Sequence, residues 1–149
     1  MYTFSDKGGR PICLIPEVTG VVQRLWAEGF FNAVHKPVQL FYASRCYRYE
    51  RPQLGRYREF TQVGVEVLGP NPDREACIAL LVRCLDAVGL RGYIVNDSVK
   101  RGLAYYTEDG FEVECPSLGA QKQVAGGGRY AEGIGWAIGL ERLILALET

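Results

Sequence analysis

The chain has 149 residues, 17 basic and 17 acidic, with a formal net charge of zero. That length suits one domain, spanning 1–149, with a real core, and the 48% apolar content, spread evenly, excludes a disordered segment. Neutral balance excludes a bulk field pulling the chain onto nucleic acid or a membrane, and no apolar run is long enough to span a bilayer.

The five cysteines (Cys13, Cys46, Cys77, Cys84, Cys115) are scattered without CxxC spacing, and His35 is the only histidine. No zinc site is expected, and reduced thiols in a cytoplasmic protein are the default. His35 falls in a loop beside Lys36 and reads as surface.

Residues 1–10 read as a strand end followed by a Gly8-Gly9 turn, and residues 11–15 as a short apolar strand. After Pro16-Glu17-Val18-Thr19 comes a helical pattern, with Val21, Val22, Leu25 and Trp26 on one side and Gly29 as its stop. Taken alone, Glu17 and Thr19 are ordinary capping residues.

Residues 45–69 form the centre of the chain. They read as two strands joined by a basic loop carrying Arg51, Arg56 and Arg58, with Pro52 and Gly55 setting the turn. The first strand is expected over 38–50, with Arg48 and Glu50 on a common face. In the second, Thr61, Val63, Val65 and Val67 alternate with Gln62, Gly64 and Glu66. Gly64 between an amide and a carboxylate leaves room for something to approach the sheet. Arginine forks suit phosphate and carboxylate oxygens, whereas Gln62 and Glu66 can accept from N–H donors.

Asn71 is expected to cap the next helix, with Pro72 at its first position and Gly89 as its end. Its stripe is Ala76, Cys77, Leu80, Leu81, Cys84, Leu85 and Val88. Residues 93–96 read as a strand. Beyond them lie Arg101-Gly102-Leu103-Ala104-Tyr105-Tyr106-Thr107, then Phe111-Glu112, then Gly126-Gly127-Gly128-Arg129-Tyr130. Residues 133–143 read as a glycine-rich strand running into an apolar helix, with Arg142 near the helix N-terminus.

Five of these peptides resemble those of a known family. RYERPQ-x-GRYREF-x-Q-x-GVEV-x-G resembles motif 2 of class II aminoacyl-tRNA synthetases in the form typical of histidyl-tRNA synthetase. PE-x-T resembles its histidine-binding turn, and RGL-x-YYT and GGGRY resemble its two histidine-specific peptides. GLER resembles motif 3. The implied fold is α+β, an antiparallel sheet flanked by helices. Motif 1 would lie before residue 1, the insertion after Gly69 is cut down, and no anticodon-binding domain follows Thr149. Ala104 and Ala131 replace acids usual in the family, which puts side-chain selectivity in question, and Glu108 stands where the family usually has Gly.

The resemblance implies ligase chemistry, in which ATP and histidine give histidyl-adenylate, with Mg²⁺ accompanying the triphosphate. By that analogy Arg48 and Arg101 are catalytic. ATP is held by Arg48, Glu50, Arg56, Phe60 and Arg142. Histidine is held by Glu17, Thr19, Gln62, Glu66, Arg101, Tyr105 and Tyr106. Partners would be histidine, ATP and the acceptor end of tRNA(His), with weak or absent charging. A homodimer would lack its motif 1 interface. Two alternatives stand beside this reading. One is a catalytically idle paralogue that binds histidine or a partner protein, like the regulatory subunit of ATP phosphoribosyltransferase. The other is a folding fragment with an exposed sheet edge.

Overall fold

The computed structural model describes residues 1–100 and 102–149. A small hairpin, β1 (Thr3–Ser5) and β2 (Pro11–Cys13), precedes helix α1 (Thr19–Ala27). Strands β3 (Val38–Tyr47) and β4 (Glu59–Leu68) follow, then helix α2 (Arg74–Ala87) and strands β5 (Ile94–Val99) and β6 (Gly110–Glu114). A 3₁₀ turn (Pro116–Gln121) leads into β7 (Gln123–Tyr130), β8 (Gly133–Gly139) and helix α3 (Leu140–Leu147). Among the described residues no helix is long and apolar enough to cross a membrane.

The main sheet has the order β3-β4-β8-β7-β6-β5, with every neighbouring pair antiparallel. Alternation along β4 gives each face of the sheet its character. Val65 and Val67 pack against the main core, built from Cys77, Leu81 and Leu85 of α2, Phe111 and Val113 of β6, Ile134 and Trp136 of β8, and Leu143 of α3. This is the α+β architecture that the resemblance implies. A second cluster joins Val22 of α1 to Phe31, Val38, Leu68 and Tyr130.

The other face of the sheet is paved with small residues. One row runs across it as Tyr42, Gly64, Ala137, Gly126 and Glu112. The next pairs Glu66 with Gly135 and Gly135 with Gly128. Small residues in the centre strands leave depth above the floor, and larger ones stand at its sides.

Four local expectations are corrected. The first strand ends at Tyr47 rather than Glu50. Arg48 N–H still pairs with Arg58 O at 2.9 Å, but Glu50 N–H turns back to Arg48 O at 2.8 Å, so the ladder stops there. Helix α2 is capped by Asp73, whose carboxylate accepts from Ala76 N–H at 3.0 Å. Asn71 sits instead in the preceding turn with φ of 48°. The α2 stripe is also narrower than its periodicity suggests, because Ala76, Leu80 and Val88 are exposed. The strand expected over 93–96 runs over Ile94–Val99.

Candidate active site

A cleft of about 680 Å³ opens over the paved floor. Arg48, Glu50, Arg56, Phe60 and Arg142 line it at one end, while Glu17, Thr19, Gln62, Tyr105 and Tyr106 line it toward the other. The structure therefore brings to one place ten of the residues that the sequence singles out. Two remain. Glu66 stands on the same face of the sheet but is fully buried under Thr19 and Tyr130 and does not line the cleft. Arg101 lies outside the described residues.

The basic end is held by main-chain carbonyls. Arg48 follows directly after β3, and its Nε donates to Pro16 O at 2.9 Å. Its guanidinium rests over the Phe60 ring, 4.9 Å from the centroid, with Nη2 4.0 Å from the Glu17 carboxylate. Arg56, in the loop between β3 and β4, pairs with Glu50. Arg142 stands in the first turn of α3 and donates to Gly55 O, to Gln123 O at 2.8 Å and to Gln121 Oε1 at 3.1 Å. Those bonds use three of its five N–H donors. Burial, then the charges of Arg48 and Arg56, lower the Arg142 pKa, with Glu50 opposing them. Three guanidiniums thus share one region with limited compensation, which is the electrostatic setting for an anion.

Glu141 is placed beside them by the same turn of α3. Both its carboxylate oxygens accept from Thr61 N–H, at 2.8 and 2.9 Å, tying the start of β4 to the helix.

The other end is lined by tyrosines over a closed acid. Thr19 is the first residue of α1, but the helix has no side-chain cap. The Thr19 hydroxyl donates to Glu66 Oε1 at 2.6 Å, and the Tyr130 hydroxyl donates to Glu66 Oε2 at 2.7 Å. The buried Tyr42 hydroxyl faces the same carboxylate. Burial pushes Glu66 up to about 7, against the pull of these hydrogen bonds. The space above Gly64 is not open to a ligand, because a Cβ there would lie 2.4 Å from the Tyr42 ring. At Gly135 a Cβ would meet Glu66 Oε2 at 1.8 Å, so glycine is required for the carboxylate to fit.

Above this cluster, Tyr105 hydrogen-bonds to Glu17, and burial followed by the neighbouring Tyr106 pushes its phenol up. Cys46 is buried beside Gln62, its thiol donating to Gln62 Oε1 at 3.4 Å, and burial raises it to about 11. It is a neutral thiol and no nucleophile. Ala104 and Ala131 are both exposed and neither lines the cleft. The two missing acids therefore leave the described cleft wall unchanged.

Tyr42, Tyr130, Glu112 and Glu141 were not among the site residues drawn from sequence. Tyr130 closes the GGGRY peptide and Glu141 lies within GLER, so both were in view. Glu112 alternates with the core residues Phe111 and Val113, which puts it on the cleft face.

Comparison with known proteins gives the same direction. The family model of the tRNA synthetase class II core domain (G, H, P, S and T) matches residues 2–132. Histidine–tRNA ligase of Corynebacterium kroppenstedtii is 31% identical, over all of this chain and 59% of that protein. The Pelotomaculum thermopropionicum ligase is 32% identical, over 99% of this chain and 59% of that one. The chain thus spans about 59% of the length of these relatives. The first match extends over 251 aligned positions, more than the chain's 149 residues, so the relative carries additional segments within the matched region. Apo histidyl-tRNA synthetase of S. aureus superposes with a TM-score of 0.81 at 24% identity, covering 99% of this chain and 60% of that one. An ATP phosphoribosyltransferase regulatory subunit/histidyl-tRNA synthetase from Bacillus halodurans C also gives 0.81, at 17% identity, covering 99% and 68%. Taken with the residue order and the cleft, the family match shows that this chain belongs to the class II aminoacyl-tRNA synthetase core family, in a histidyl-tRNA synthetase-like form.

Proposed function

We propose that the cleft binds ATP and histidine together and activates the amino acid as histidyl-adenylate. The observation that carries this reading is the convergence of Arg48, Arg56 and Arg142 on one end of a cleft whose other end offers Glu17, Gln62 and two tyrosines. The carboxylate oxygen of the amino acid attacks the α-phosphorus of ATP, and the bond to the bridging oxygen breaks to release pyrophosphate. The chain's side chains supply position and charge, and no covalent enzyme intermediate is required.

Arg48 holds the α-phosphate, and Arg56 and Arg142 hold the outer phosphates. Phe60 offers one ring face to the adenine, the other lying under Arg48. Glu17 and Gln62 take the substrate ammonium. Thr19 joins them once its hydroxyl leaves Glu66, and Glu66 with Tyr106 reads the imidazole. Arg101 would stabilise charge on the reacting carboxylate. Glu50 reaches the adenine edge when Arg56 turns to phosphate. Among the described residues no three acidic, histidine or cysteine side chains converge as a metal site, so a magnesium ion would be held by the triphosphate oxygens. The acceptor end of tRNA(His) is the onward partner in this reading.

A second reading is favoured by the bond between Thr19 and Glu66, which leaves the amino-acid end closed on itself. In that case the chain binds histidine or a partner protein without chemistry. Exchange of labelled pyrophosphate into ATP, run with a panel of amino acids, separates the two. Histidine-dependent exchange supports activation. No exchange with any amino acid, in protein that still binds histidine, supports the second reading.

A further inference from the structure

The segment 102–107 supplies Leu103, Tyr105 and Tyr106 to the cleft wall and has little regular structure of its own. Its downstream end is held at one place. Thr107 N–H donates to Arg129 O at 3.0 Å, and the Thr107 hydroxyl donates to the same oxygen at 3.3 Å. The next residue, Glu108, is clasped by two guanidiniums from different elements. Arg74 Nη1, from the first residue of α2, stands 3.5 Å from Glu108 Oε1, and Arg129 Nε, from β7, stands 3.2 Å from the same oxygen.

Both arginines are fixed independently of Glu108. Arg74 donates to Asp97 O, Asp109 O and Gly110 O and lies over the Phe111 ring, while Arg129 donates to Pro72 O at 2.8 Å. Two cations are therefore held together whether or not an anion lies between them. Removing that anion does more than delete one ion pair, because it leaves two like charges facing each other.

We infer that Glu108 is a positioning residue: its carboxylate, held between Arg74 and Arg129, fixes segment 102–107 and thereby sets the amino-acid end of the cleft. The kinetic part of this inference rests on the proposed function, whereas the structural part does not.

The test compares wild type, Glu108→Ala and Glu108→Asp by hydrogen–deuterium exchange, and by amino-acid KM in the pyrophosphate exchange assay. In Glu108→Ala, the amides of 103–107 exchange about 10-fold faster while those of α2 and β7 do not change. The amino-acid KM rises by a similar factor, the KM for ATP and kcat move little, and Glu108→Asp recovers part of the loss. Unchanged exchange at 103–107 overturns the inference, and so does uniform loosening that includes α2. Local loosening in a chain that shows no amino-acid-dependent activity supports the latch and sinks the reading of the cleft instead.

Discussion

The two ends of the cleft solve the problem of buried charge in opposite ways. At the basic end, Arg48, Arg56 and Arg142 are oriented mainly by main-chain carbonyls and nearby acceptors, and burial together with the charges of Arg48 and Arg56 lowers the Arg142 pKa. That end is electrostatically incomplete by itself. Beneath the other end, Glu66 has a hydroxyl on each oxygen and no exposed surface. That carboxylate is satisfied, although the buried Tyr42 hydroxyl beside it has no hydrogen-bond partner among the described residues, and a ligand that uses Glu66 must first displace Thr19 or Tyr130. Preorganised donors suit a group whose charge develops during reaction, while a self-satisfied cluster suits discrimination, since only a partner that replaces the lost bond is admitted.

The largest expected effect comes from removing a member of the incomplete end. Arg48→Ala should lower pyrophosphate exchange by ~10²–10³, about 3–4 kcal/mol of barrier. The melting temperature should fall only modestly, and a near-normal rate would break the contrast from that side.

Glu66→Gln probes the complete end through pH. Burial pushes Glu66 up to about 7 in the folded state against its ordinary value of 4.5, so the folded state keeps its proton longer than the unfolded chain. The contribution of Glu66 to stability is therefore fully present below about 4.5, is lost as pH rises to 7, and is a full cost above it. The glutamine variant lacks this cost. Its advantage in thermal melts should grow between pH 5 and 8 to on the order of 3 kcal/mol. A difference independent of pH would show that Glu66 titrates normally.

Tyr130→Phe removes one hydroxyl from Glu66 and nothing from the basic end. Chemical denaturation should show a loss of about 1–2 kcal/mol. Glu141→Gln weakens the bidentate hold on Thr61 N–H, with an expected loss of about 1 kcal/mol measured in the same way. If Glu141→Gln costs more than Tyr130→Phe, the basic end is the more tightly built of the two.

Much of the fold was legible because local patterns and global packing agree. Alternation along β4 put Val65 and Val67 in the core and Gln62 on the cleft side, and Gly29 and Gly89 end their helices at φ of 77° and 88°. Where two signals lie side by side, sequence alone does not choose between them. Asn71 and Asp73 are both good caps, and the choice depends on the turn that gives Asn71 a positive φ. The basic end was legible only through the resemblance of its peptides, since Arg51 and Arg58 of the same loop do not line the cleft and Arg142 comes from α3. The Glu66 cluster was not, because its donors lie 47 and 64 residues away and only the assembled sheet brings them together. The space over Gly64 is filled by Tyr42, its cross-strand partner, whose side chain lies across the glycine.

The central claim is that three converging guanidiniums and the neighbouring tyrosine-lined end serve one reaction. Labelled pyrophosphate exchange into ATP, measured with and without histidine in wild type and in Arg48→Ala, tests it most directly. The account predicts histidine-dependent exchange in wild type and its near-complete loss in the variant. Equal exchange in both proteins, or none in a wild-type chain that binds ATP and histidine, would contradict it.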